Sequence, residues 1–224
     1  MTEDSNQLDV QVKAIAATFL TPLRERVAHL IERPWLDVQQ EIEALAQSLR
    51  DENANRVVDE PSKNHLVHSS LLLSAYRVLS SLIDDKALLL EDLYGALYDE
   101  LKQGVEAYLV ERFDISPSAP EEAFAKASVN LKKIGDKKFG RAFVYEREVL
   151  DRTQGVTVIR KCFFNDFFRA NGTLELLPLL CRGDELWMNE LNKPKYGVKA
   201  FRTALLSKGD DVCRFHITKV NPPQ

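Results

Sequence analysis

Three cysteines are the residues whose type could do chemistry here: Cys162, Cys181 and Cys213. A thiolate is a nucleophile and a metal ligand, and a buried thiol is a small hydrophobe. Polar groups flank them at short spacing. Asn165 follows Cys162 by three residues, Asp184 follows Cys181 by three, and Arg202 precedes Cys213 in the last apolar segments. The short pattern Lys208-Gly-Asp-Asp211 before Cys213 reads as a hairpin turn. Cys162 is the best placed nucleophile, because a helix starting near Asn165 would lower its thiol pKa. Cys181 sits at an expected helix end and gains no such help. Cys213 shares a strand face with Phe215, which suits packing.

Other constellations carry less. No P-loop, dinucleotide fingerprint, HExxH motif or nucleophile elbow occurs. A zinc set of the cysteines with His216 is disfavoured, since Cys213 and His216 point to opposite faces of a strand and Cys162 and Cys181 lack short ligand pairing. No metal and no cofactor is expected. His65 and His68 read as a solvated or capping pair at a helix start, and Glu146 and Glu148 as an exposed strand face. Phe163, Phe164, Phe167 and Phe168 read mainly as core, and could also wall an apolar pocket.

The elements that must position these residues follow from hydrophobic period. Helical spacing runs from Leu8 to Ile31 through Val12, Ile15, Phe19, Leu23 and Val27, and Pro34 ends it. A second helix carries Leu36, Ile42, Leu45, Ala46 and Leu49, and a third runs from about Asn64. A fourth repeats from Leu90 to Tyr108, and a fifth is capped by Ser118 and closed by Gly135. The period then changes. Strand-forming residues from Phe139 to Leu150 and from Val156 to Cys162 flank the turn Asp151–Gly155, making a hairpin. Helical material follows from Asn165 to about Leu191, broken near Asn171-Gly172 and at Pro178. Strands from Val198 to Leu206 and from Val212 to Thr218 complete a second hairpin, and Pro222-Pro223 ends the pattern. The expectation is an α+β fold: N-terminal helices packed with a C-terminal antiparallel sheet of about four strands, ordered hairpin–helices–hairpin.

Composition separates a helical part, residues 1–134, from an α+β part, residues 135–224, within one compact unit. The first part has 14 Lys/Arg and 23 Asp/Glu, a balance of −9; the second has 16 and 11, a balance of +5. The split suits either complementary parts that dock on each other or a basic part that attracts an anionic ligand; all three cysteines and 11 of the 19 aromatics lie in that second part. Dispersed basic residues and a net charge of −4 argue against nucleic acid. No apolar run reaches the ~20 residues of a membrane helix, and an odd cysteine count suits a reducing, cytoplasmic setting. Apolar helix faces allow a homodimer.

The ordered set Cys162-Phe-Phe-Asn165, Leu180-Cys181-Arg-Gly-Asp184, Phe201-Arg202-Thr203-Ala-Leu205 and Gly209-Asp-Asp-Val-Cys213-Arg-Phe215 resembles the C-terminal signature of the L-2-amino-thiazoline-4-carboxylic acid hydrolase family. The segment Leu73–Leu79 looks like the family's upstream helix, so the resemblance spans roughly residues 65–220. It implies opening of a cyclic amidine-type thiazoline to a carbamoyl-cysteine. The C2 carbon of such a ring is electrophilic once the ring nitrogen is protonated, and attack needs a thiolate or an activated water. The matched residues supply Cys162 or Cys181 as nucleophile, Asp184 as base or amidinium partner and Arg202 as clamp for a substrate carboxylate. Asn165 and Cys213 complete the substrate-binding set. The expected partner is a small anionic, nitrogen-containing substrate. Two alternatives stay open: the same scaffold performing a cyclisation or rearrangement in specialised metabolism, and a non-catalytic module that binds a small ligand.

Overall fold

The computed structural model describes residues 3–220. Among these are eight α-helices and one four-stranded antiparallel sheet near the C-terminus, the expected α+β class. The Pro222-Pro223 break lies outside the described residues. By internal contacts the chain forms two units. One runs to Val57 and resumes at Lys63–Asp99; the other joins Val58–Ser62 to the residues from Glu100 onward. The charge-based division at residue 134 therefore falls inside the second unit.

The first unit is helical. Helix α1 spans Glu3–Val27 and buries Phe19, Leu20, Leu23 and Val27. Helix α2, Trp35–Glu52, opens after Pro34 and buries Val38, Ile42, Ala46 and Leu49 at helical spacing, whereas Leu36 is exposed. Helix α3, Glu60–Leu79, starts four residues before the expected Asn64. A reciprocal cap explains the early start: the Ser62 amide donates to the Asp59 carboxylate (2.9 Å), while the Val58 and Asp59 amides donate to the Ser62 hydroxyl. His65 and His68 thus lie inside a helix, with the His68 ring bonded to the Asn64 carbonyl at 2.8 Å. The expected single helix from Leu90 to Tyr108 is two. Helix α4 spans Lys86–Gln103 and α5 spans Val105–Phe113, broken at Gly104, where the helix is least favoured.

The second unit holds the sheet. Helix α6, Ala123–Phe139, differs from its expected ends. It opens through a turn at Pro120–Glu122 rather than on Ser118, whose hydroxyl bonds Ser116 instead. It also runs through Gly135 to Gly140, which takes the left-handed φ of 66°. Gly135 serves packing: a Cβ there would sit 2.6 Å from the Tyr145 ring. Strands β1 (Val144–Leu150) and β2 (Gln154–Lys161) form the hairpin, closed by the Asp151 carboxylate accepting the Thr153 and Gln154 amides. Helices α7 (Phe163–Ala170) and α8 (Leu177–Leu191) follow, divided at Asn171-Gly172 as expected; Pro178 sits in the first turn of α8, where its missing N–H costs nothing. Strands β3 (Val198–Ala204) and β4 (Cys213–Lys219) complete a sheet of order β1-β2-β4-β3.

The two sheet faces differ. Helix α6 packs on β1, β2 and β4, and α8 packs on β3. The face beneath them presents Tyr145, Gly155, Thr157, Ile159, Cys213, Phe215, Ile217, Ala200 and Arg202. The opposite face carries Glu146 paired with Arg160, Glu148 paired with Arg214 at 3.1 Å, and Phe201 stacked on His216 at 4.7 Å. Glu146 and Glu148 are thus neutralised as ion pairs. Cys213 and His216 do face opposite sides of β4.

Candidate functional site

The antiparallel order brings the end of β2, the start of β4, the start of β1 and the end of β3 to one edge of the sheet. Tyr145 of β1 pairs with Ile159 of β2, and Ile159 with Cys213 of β4, so these three lie in one row under the helices. Arg202 stands beside Phe215, one step along. Cys162 follows β2 directly and is the N-cap residue of α7. Cys181 and Asp184 project from the first half of α8. Cys181 is therefore in the second turn of a helix rather than at a helix end, and Asp184 lies within the same helix.

Arg202 ties these pieces together. Its side chain is only 6% exposed. The guanidinium donates to the Cys181 carbonyl at 2.9 Å and to Glu185 at 2.8 Å, and lies 3.5 Å from an Asp184 carboxylate oxygen. Its flat face rests over the Phe215 ring, 5.7 Å from the centroid. Asp184 accepts a second bond from the Trp187 indole at 3.2 Å, three residues on along α8.

Asp184 is in an unusual position. Its side chain keeps 42% of its exposure, yet burial among surrounding protein is the largest influence on its carboxyl. The carboxylate thus stands half-exposed at this edge of the sheet, beside a crowded set of protein groups. Burial raises the Asp184 pKa above the usual carboxylate value, while the Arg202 charge and the Trp187 bond oppose that rise. Tyr145 and Tyr108 face the same field. Burial, then Asp184 and Cys162, holds the Tyr145 phenol well above its ordinary value. Burial raises Tyr108, with Arg112 opposing.

The three cysteines are free and within electrostatic reach of one another. Cys213 is buried, and its sulfur accepts the Leu206 amide at 3.4 Å. Cys162 and Cys181 are partly buried. Burial pushes the Cys181 thiol up to about 11, opposed chiefly by the Ser207 hydroxyl. Cys162 is pushed up further by burial, although the Asn165 and Phe164 amides at the start of α7 favour its thiolate. The helix N-terminus acts in the expected direction, but desolvation is larger. Burial raises Cys213 as well. No hydrogen bond joins Asp184 to any of the three thiols among the described residues. Asn165 is buried, and its side-chain oxygen has no partner within the described protein.

The same edge thus assembles all six residues singled out from the sequence, with Tyr145, Trp187, Arg112, Tyr108 and Ser207 around them. A family model for L-2-amino-thiazoline-4-carboxylic acid hydrolase matches residues 86–217, more than half of the chain. The chain belongs to this family. The match begins at Lys86, so the Leu73–Leu79 helix lies before it. A search of curated proteins finds no match to the chain.

The family is named for a hydrolase, and this edge gathers a carboxylate, phenol and thiol groups, and two guanidinium groups. Among the described residues no group of three or more His, Cys, Asp or Glu is arranged to hold a metal ion. No described helix is long and apolar enough to cross a membrane. A surface cleft of about 540 Å³, lined by Val129, Lys132, Lys133, Asp136, Lys137 and Arg147, contains none of the residues gathered at this edge. Its Asp136 is paired with Lys132.

Four of the surrounding residues escaped the sequence reading. Trp187 lies three residues past Asp184, a spacing that becomes informative only once both are placed on one helix. Tyr145 was legible as a strand residue but not as an inward one. Arg112 and Tyr108 sit on α5, far from the cysteines in sequence, and nothing local marks them.

Proposed function

We propose that this edge of the sheet opens a cyclic amidine-type bond in a small anionic metabolite, with Asp184 as the base that activates water. The observation supporting this reading is the Asp184 carboxylate itself. It is half-exposed, raised in pKa by burial, and oriented by Trp187 and Arg202. A raised carboxylate is a stronger base than a free one once it is ionised. Water adds to the C2 carbon of the protonated ring, and Asp184 takes the proton that the water loses. The ring bond at C2 then breaks, and the proton passes to the departing heteroatom. Tyr145, kept protonated, can donate a hydrogen bond as charge shifts onto that atom.

In this reading the cysteines act as neutral thiols. Cys162, Cys181 and Cys213 surround the site, and Asn165 offers its unpartnered amide oxygen to a substrate N–H. Arg202, already holding three acceptors, orients Asp184. The test is turnover of 2-amino-thiazoline-4-carboxylate and related cyclic amidines in water enriched in heavy oxygen. Asp184→Asn is expected to lose a factor of about 10²–10⁴ in kcat, the range for a general base. Cys162→Ser and Cys181→Ser are expected to keep most of theirs. Full activity in Asp184→Asn overturns the assignment.

The high thiol pKa values also favour a second reading: a cyclisation or rearrangement that needs no covalent thiol. Products without label from solvent, formed by the same Asp184-dependent route, would select it. Ligand binding with no turnover on any candidate would select a non-catalytic module.

A further inference from the structure

Two guanidinium groups lie at this site, and they differ in how they are engaged. Arg202 bonds the Cys181 carbonyl and Glu185 and lies beside Asp184. Arg112, on α5, is partly buried and has no carboxylate at ion-pair distance among the described residues. The acids nearest it in sequence are spoken for: Glu111 pairs with Lys138 at 3.1 Å and Asp114 with Lys126 at 3.0 Å. Arg112 instead lies between two aromatic rings, 5.2 Å from the Tyr108 centroid and 5.8 Å from that of Phe139. Aromatic contact holds the guanidinium plane in place beside the Tyr108 hydroxyl, which takes up only part of its five N–H groups.

Two chains of contact connect Arg112 to Tyr145 and to Asp184. Phe139 touches Tyr145 at 6.0 Å between centroids. On the other side Phe113, next to Arg112 on α5, stacks on Trp187 at 5.0 Å, and Trp187 donates to Asp184. Arg112 and Asp184 influence one another electrostatically, yet they are farther apart than an ion pair. An arginine with no carboxylate at ion-pair distance and the Asp184 carboxylate are thus linked through one aromatic cluster.

We propose that Arg112 anchors the carboxylate of the substrate, which places the ring's amidinium end at Asp184. The inference rests on the hydrolytic reading above and deepens it. The substrate class is a small, flat heterocycle carrying a carboxylate at one end and a protonatable amidine at the other. Arg112 forks onto the carboxylate, and Tyr108, Phe139 and Tyr145 line the ring. Arg202 serves as a positioning residue for Asp184 rather than as the clamp.

The test is equilibrium binding to the full chain of two unreactive aromatic analogues, 2-aminothiazole-4-carboxylate and 2-aminothiazole. The wild-type protein is expected to prefer the carboxylate analogue. Arg112→Gln is expected to weaken that analogue by about 10- to 100-fold, the worth of a charge-assisted pair, while leaving 2-aminothiazole unchanged. Arg112→Lys, which keeps the charge without the fork, is expected to recover part of the loss. A general folding defect would weaken both ligands together, and that outcome overturns the anchor. A preference for the carboxylate analogue that survives in Arg112→Gln also overturns it, but leaves the Asp184 chemistry standing. If the wild-type protein binds neither analogue, both the anchor and the hydrolytic reading fall.

Discussion

Replacing Arg202 by Met separates the two jobs this arginine does. Met fills the space over Phe215 and keeps an apolar contact with the ring. What is lost is the donor to the Cys181 carbonyl, the bond to Glu185 and the charge beside Asp184. A hydrogen bond from a charged donor contributes about 1.5–3 kcal/mol. The two carboxylates are 42% and 51% exposed, so water screens them and each pairing adds no more than about 1 kcal/mol. Relief from burying a guanidinium offsets part of the loss. The net destabilisation is expected to be about 1–2 kcal/mol. At about 2–4 °C per kcal/mol for a chain of this size, Tm falls by roughly 2–8 °C.

The charge effect has a definite sign. Arg202 is the largest influence opposing the burial that raises the Asp184 carboxyl. Two unit charges 3.5 Å apart attract by about 1 kcal/mol in water and about 5 kcal/mol at an effective dielectric of 20; the exposure of Asp184 places this pair near the lower figure. Arg202→Met therefore moves the Asp184 midpoint to higher pH. Trp187 reports it directly, because its indole is bonded to the carboxylate. The chain has two tryptophans, so a Trp35→Phe background leaves Trp187 alone. Its fluorescence should titrate with Asp184, lose that transition in Asp184→Asn, and show it at higher pH in Arg202→Met. The acid limb of kcat should move with it. A transition unmoved by Arg202→Met, in a protein that remains folded, refutes the coupling between Arg202 and Asp184.

The remaining predictions concern packing and the thiols. A Cβ on Gly155 would lie 2.7 Å from the Ser128 side chain and 3.3 Å from its Cα, where α6 crosses β2. Gly155→Ala is expected to cost about 1–3 kcal/mol by overpacking, and Ser128→Gly in the same chain to recover part of it; denaturant melts of the double-mutant cycle measure the coupling. All three thiols have folded pKa values raised by burial, so they contribute stability below the ordinary thiol value of 9.0 that is lost as pH rises through the folded values. Unfolding free energy should therefore fall above pH 9.0, and less steeply in Cys162→Ser. Alkylation of the native protein by iodoacetamide at pH 7 should be slow at every cysteine, and rapid modification of Cys162 would contradict the neutral-thiol assignment.

Element type was largely legible where one physical signal dominated. The apolar stripe of α2 and the alternation of β2 and β4 are periodic over enough residues to identify helix and strand. The turn at Asp151 and the break at Asn171-Gly172 follow from local chemistry. Boundaries failed where a distant partner decided them. Gly135 reads as a helix end, but its missing side chain makes room for Tyr145 and the helix continues. The start of α3 is a different case: the local Asp59–Ser62 cap sets it four residues before Asn64.

The site divides in the same way. Residue type and order along the chain were enough to select Cys162, Asn165, Cys181, Asp184, Arg202 and Cys213 and to connect them with the family, since that signature is a property of spacing alone. Their ionisation was not determined by spacing. A helix start promised an acidified Cys162, and only the packed structure shows that desolvation outweighs those amide dipoles. Arg202 was identified as a cation, but its three acceptors, one of them a backbone carbonyl of another element, exist only after β3 docks on α8. Arg112 became visible last, because a cation without a counter-charge is defined by what surrounds it in space. Residue identity and local period are written in the chain, whereas burial, pairing and the field at a carboxylate are sums over neighbours that tertiary folding alone brings together.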